Sequence, residues 1–195
     1  MNRQEKISSL IGDIGIPIIG FFFWNWSIYF ICLFFFLDQF SREVSSIIRM
    51  QNVRERVKLT TRAYFLNTSS FLVCFIAAHI YVYNLHPEIN FLQEINAFFW
   101  FKDMGIPQGF ILLPLVVFSE RMRYKMNIKL FTDEMHVKHW FIQTTQLTAY
   151  FTLFLLLSLA LTFFKMSETM SFVCLLIGFT TITLFSDKWS TFFPR

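Results

Sequence analysis

WFIQTTQLTAYFTLFLLLSLALTFF, residues 140–164, contains no acidic or basic side chain. As a helix it would be about 37 Å long, which exceeds the roughly 30 Å of a bilayer's hydrocarbon core. Three other segments read the same way. Residues 15–37 and 105–119 carry no charged side chain, and residues 71–85 carry only His79. Segments this long and this dry have lipid as their natural solvent.

The charges sit between these segments. Residues 41–62 hold Arg42, Arg49, Arg54, Arg56, Lys58 and Arg62 against Glu43 and Glu55. Residues 120–139 hold Arg121, Arg123, Lys125, Lys129 and Lys138 against Glu120, Asp133 and Glu134. Eleven of the 17 lysines and arginines therefore lie in two connectors, while residues 84–101 have none. The positive-inside rule puts both basic connectors in the cytoplasm and 84–101 on the opposite side. The expected fold is an all-α, polytopic transmembrane helical bundle in a bacterial inner membrane, forming one domain over residues 1–195.

Composition agrees. The chain is 55% hydrophobic, more than a soluble domain of this size needs. Its 28 phenylalanines suit a lipid-facing surface, though an A/T-rich genome gives the same bias. Cys32, Cys74 and Cys174 all fall inside apolar runs, where they read as packing residues, and nothing suggests a disulfide framework. The start, MNRQEKISSLIGDIG, carries Asp13 and lacks a small-residue cleavage site, so the first span is expected to serve as the insertion signal.

The apolar periodicity gives helices over 7–23, 26–50, 64–84, 104–119, 139–164 and 169–186, with a tight turn at Lys165-Met-Ser-Glu168. The first two helices meet at Trp24-Asn25-Trp26-Ser27. Trp favours the membrane interface, and Asn or Ser can cap a new helix. Six spans put Arg3 and Lys6 inside, with both termini cytoplasmic. The alternative is five, with 14–37 as a single span.

A weak internal repeat relates 4–84 to 93–164. Asp13-Ile-Gly-Ile-Pro17 parallels Asp103-Met-Gly-Ile-Pro107, Phe40-Ser-Arg-Glu43 parallels Phe118-Ser-Glu-Arg121, and Tyr64-Phe-Leu-Asn-Thr68 parallels Trp140-Phe-Ile-Gln-Thr144. Parallel duplications occur in transporters, although a chain this rich in apolar residues also produces such matches by chance.

Four residues form a candidate polar membrane site: Asp38, Arg42, Asp13 and Asp103. Asp38 follows Phe34-Phe-Phe-Leu37 and stands four residues before Arg42, a spacing that lets the two pair on a helix. A lone carboxylate in lipid costs about 2.5 kcal/mol or more. Asp38 therefore either serves an ion or proton path or marks the wet end of a span. Asp13 and Asp103 precede Gly-Ile-Pro, where they either cap helices or face an irregular backbone able to hold a cation.

Asp133, His136 and His139 share one helical stripe, but Glu134 and Lys138 interleave and no Cys is near, so the stripe reads as solvated rather than as a metal site. His79 reads as a hydrogen-bonded interfacial residue. Asn67-Thr-Ser-Ser70 and its echo Gln143-Thr-Thr-Gln146 read as polar contacts between helices. No metal or cofactor is expected.

The succession Ile16-Pro-Ile-Ile-Gly20, Trp26-Ser27, Leu37-Asp-Gln39 and Ile47-Ile-Arg-Met50 resembles a prokaryotic multi-pass membrane family of unknown function. The likeness covers residues 10–50. It implies two separate helices before residue 50, with Asp38 inside a long second helix, and it brings no activity. The family carries a His-Tyr-Gly-like element on its next helix, where this chain has Thr68-Ser69-Ser70.

Function divides into two main readings. The first is a non-enzymatic membrane subunit or scaffold, with a membrane partner or a homo-oligomer. The alternative is a small ion- or proton-coupled transporter or channel using Asp38 and Arg42. An enzyme comes third, since no paired catalytic groups emerge. The basic connectors suit anionic lipid headgroups. Nucleic-acid binding is not expected, because no recognition module is present.

Overall fold

The structure is a computed structural model. It describes residues 14–57, 61–100 and 132–189, together with Ile111, Pro114, Leu115, Phe118 and Met122. The helices are α1 (Ile16–Phe23), α2 (Ile28–Val57), α3 (Thr61–Leu85), α4 (Phe91–Phe99), α5 (Asp133–Phe163) and α6 (Glu168–Trp189). The described residues contain no strand. Most of the expected helix over 104–119 lies outside them, as do Asp13, Asp103, Arg3 and Lys6; Ile111, Pro114, Leu115 and Phe118 are helical.

Local chemistry sets the helix ends. Pro17 sits in the first turn of α1, where its missing N–H costs nothing. The chain then turns at Trp24–Ser27, as the sequence suggested. Asn25 takes φ +49°, a left-handed conformation that Asn tolerates better than most residues. The Gly20 carbonyl accepts the N–H groups of Trp24 (3.2 Å) and Trp26 (2.9 Å). The Trp26 ring lies over Gly20 so closely that a Cβ there would stand 2.2 Å from it. Ser27 then caps α2 by accepting the Phe30 N–H at 3.1 Å. Thr132 caps α5 and Ser167 caps α6 in the same manner. Residues 164–167 form the expected turn between these two helices.

Helix α4 is a departure from the sequence reading, which treated 84–101 as a plain connector. Asn90 caps it by accepting the Gln93 N–H at 3.1 Å. Phe91, Ile95 and Phe98 fall on one face, and Phe98 is buried against Phe30 with ring centroids 5.0 Å apart. An Asn cap followed by apolar positions at i, i+4 and i+7 was the available signal.

The core is aromatic. Phe154 is fully buried and neighbours the rings of Phe36, Tyr81 and Phe179. Phe35 stacks on Phe179 at 4.2 Å, and Phe21 of α1 stacks on Phe172 of α6 at 4.1 Å. The closest helix pairing is α3 with α5, followed by α5 with α6. Asn67 lies beside Thr144 and Asn84 beside Ser158, so α3 and α5 run parallel. The chain must therefore return from one end of the bundle to the other between α3 and α5.

The outside is apolar as well. Phe65, Leu72, Val73, Ile76 and Ile80 stand exposed along α3, and Leu155, Leu156, Leu159 and Phe163 along α5. Water would penalise an apolar surface of this extent. Three helices, Phe65–Leu85, Asp133–Phe163 and Glu168–Phe185, are long and apolar enough to cross a membrane. The described part of α1 has eight residues and would be about 12 Å long. Helix α2 is long enough to cross, but Asp38, Arg42 and Glu43 interrupt its apolar run.

Candidate polar site on helix α2

Two polar layers stack along α2. In the first, Asp38 and Arg42 pair as their spacing predicted: Arg42 Nε lies 2.8 Å from Asp38 Oδ2. Both side chains are about a third exposed, at 30% and 27%. Asp38 is thus a compensated carboxylate, held by Arg42, rather than a lone charge. The pair borders a cavity of about 30 Å³, whose other polar walls are Gln39, Tyr150 and Thr183. Tyr150 and Thr183 meet hydroxyl to hydroxyl at 3.1 Å, tying α5 to α6.

The second layer lies one turn further along and was not legible in the sequence. Glu43, grouped with the charges of the basic connector, is buried with only 4% exposure. Three neutral donors surround it. Asn67 Nδ2 and Gln143 Nε2 both donate to Oε2, the latter at 2.8 Å, and Thr68 Oγ1 approaches Oε1 at 3.4 Å. Thr144 Oγ1 donates to Asn67 Oδ1 at 2.7 Å and so orients the amide whose N–H₂ faces the carboxylate. The two amides present N–H donors to the same carboxyl oxygen. The arrangement joins α2, α3 and α5 through one side chain. The two polar patches seen in the sequence, 67–70 and 143–146, therefore meet, and Glu43 is the residue between them.

A third polar contact lies toward the other end of α2. Tyr29 O–H meets His79 Nε2 at 2.7 Å, and His79 Nδ1 lies 2.9 Å from the Phe75 carbonyl. The carbonyl can only accept, so Nδ1 carries a proton. Both ring nitrogens are thus engaged within the protein, which fits a structural histidine rather than a metal ligand. Close by, Ser27 Oγ donates to Glu94 Oε2 at 2.7 Å and anchors α4 to the α1–α2 turn. Among the described residues, no group of three or more His, Cys, Asp or Glu could hold a metal ion.

The fold and these contacts define a class: an all-helical bundle with an apolar exterior, helices able to cross a bilayer, and a buried carboxyl group, Glu43, held between helices. No family model, no curated protein and no solved structure matches the chain.

Proposed function

We propose that this chain is a six-span protein of the bacterial inner membrane, with both termini cytoplasmic, that acts as a non-enzymatic subunit or scaffold. The observation that carries this reading is how Glu43 and Asp38 of α2 are engaged. Glu43 is enclosed by donors from α3 and α5, and Asp38 is bound to Arg42. The cavity beside Asp38 has room for water but not for an organic substrate. Side chains arranged in this way fix helices against one another.

The six-span arrangement draws support from topology. The parallel run of α3 and α5 calls for a return crossing between them, and the helical residues Ile111, Pro114, Leu115 and Phe118 lie on that stretch. The duplication of 4–84 and 93–164 draws support from Glu43: Asn67 and Gln143, equivalent in the repeat, donate to the same oxygen. The resemblance over residues 10–50 implies separate first and second helices, and α1 and α2 have that form. The basic connectors are proposed to rest on anionic headgroups.

Purification in mild detergent and in nanodiscs, followed by native mass spectrometry, tests the subunit reading. A stoichiometric partner or a defined homo-oligomer is expected. Monomers in every detergent and lipid would overturn it. The Asp38–Arg42 pair beside a polar cavity favours a second reading, a proton- or ion-coupled transporter. On that reading Asp38→Asn abolishes coupled flux in proteoliposomes while the protein stays folded. On the subunit reading no flux exists to lose.

A further inference from the structure

The cavity against α2 contains an unresolved polar requirement. Its walls come from α1, α2, α5 and α6, with Asp38, Gln39, Arg42, Tyr150 and Thr183 as the polar groups. Phe35 and Phe179, stacked on each other, belong to its apolar wall. Gln39 is only 3% exposed, and its Oε1 has no hydrogen-bond partner among the described residues. A buried amide oxygen without a donor costs about 1–3 kcal/mol. The neighbouring α2 backbone cannot supply one, because helical N–H groups are already engaged.

We propose that this cavity is a hydration site, in which water binds between the Gln39 carboxamide, the Asp38–Arg42 pair and the Tyr150–Thr183 hydroxyls. Size supports this first: about 30 Å³ accommodates one or two waters and excludes larger guests. Charge supports it next. Arg42 Nε already holds Asp38 Oδ2 at 2.8 Å, so the carboxylate on the cavity wall is engaged rather than open to a cation. Chemistry supports it last. The lining offers acceptors (Asp38, Gln39 Oε1) and groups with O–H or N–H (Arg42, the hydroxyls of Tyr150 and Thr183), and water serves both. The consequence is a wet point inside an otherwise aromatic bundle, one helical turn from Glu43. This site goes beyond the subunit reading and is independent of any partner.

Radiolytic hydroxyl-radical labelling of the full chain in nanodiscs tests it. Water bound in place generates radicals that oxidise the side chains it touches. Tyr150, Phe154 and Phe172 are equally buried, at 2%, 0% and 1% exposure. Tyr150 should label several-fold faster than the two phenylalanines. Gln39→Leu keeps roughly the volume, removes the amide without adding a radical-reactive thioether, and should slow Tyr150 labelling toward that of Phe154. Labelling of Tyr150 no faster than Phe154 and Phe172 in the unmodified protein overturns the proposal. So does a folded Gln39→Leu protein in which Tyr150 labels at its original rate. Should that variant fail to fold, Thr183→Val removes the opposite polar wall and is judged by the same two outcomes.

Discussion

Residues 28–37 and 38–46 of α2 are packed by different forces. In the first stretch the buried side chains are Ile28, Tyr29, Phe30, Ile31, Phe36 and their apolar neighbours, enclosed by rings from α3, α4, α5 and α6. In the second the buried positions are Gln39, Ser41, Glu43, Ser45 and Ser46. The apolar half gains from close contact, which depends on shape and tolerates no voids. In the polar half Glu43 gains from hydrogen bonds, which depend on each partner being present, while Gln39 Oε1 and Ser41 Oγ have no partner among the described residues. In lipid this division is expected. Apolar side chains have little reason to prefer a neighbouring helix to a lipid tail unless they fit closely, whereas a carboxylate has every reason to prefer a helix that carries donors.

The largest expected effect lies in the aromatic half. Phe154→Ala leaves a hole among Phe36, Tyr81 and Phe179 and should destabilise by about 3–5 kcal/mol. Unfolding in detergent, by heat or by titration with a denaturing detergent, measures it. Glu43→Ala should come next, at about 2–3 kcal/mol, because Asn67 and Gln143 lose their shared acceptor. Glu43→Gln, which keeps one oxygen, should recover part of that loss. If Glu43→Ala proves costlier than Phe154→Ala in the same assay, the comparison reverses and the polar layer is the principal clamp of the bundle.

Smaller changes sharpen the picture. Gly20→Ala drives a methyl into the Trp26 ring and should cost about 1–3 kcal/mol. A shift in tryptophan fluorescence should accompany it, and wild-type stability and fluorescence together would refute the close approach. Tyr29→Phe removes the hydroxyl that meets His79 Nε2 and should cost about 1 kcal/mol in the same unfolding assay. Asp38→Asn should have the smallest effect on stability, below about 1 kcal/mol, since the Asp38–Arg42 pair is partly exposed. A larger loss would show that this pair, too, is a buried clamp.

The sequence was informative wherever the signal was local. The turn at 24–27 was legible because Trp, Asn and Ser each have a local reason to be there, and Ser27 does cap α2. The turn after 164 was legible for a similar reason. Asp38 and Arg42 were paired correctly because a four-residue spacing on a helix suffices to bring them together. Helix α4 was missed because its nine residues carry no long apolar run, only a cap and a short periodicity.

Glu43 shows where sequence reading stops. Locally it stands among arginines and reads as a solvated charge. Its burial depends on Asn67 and Gln143, which lie 24 and 100 residues away. The distribution of charge and apolar length by itself determined that this chain is helical and suited to a bilayer, because each helix satisfies its own backbone and each run meets its solvent residue by residue. Which carboxylate is enclosed, which amides face it and where a cavity remains were decided only by the tertiary structure, because those contacts exist only once distant helices lie side by side.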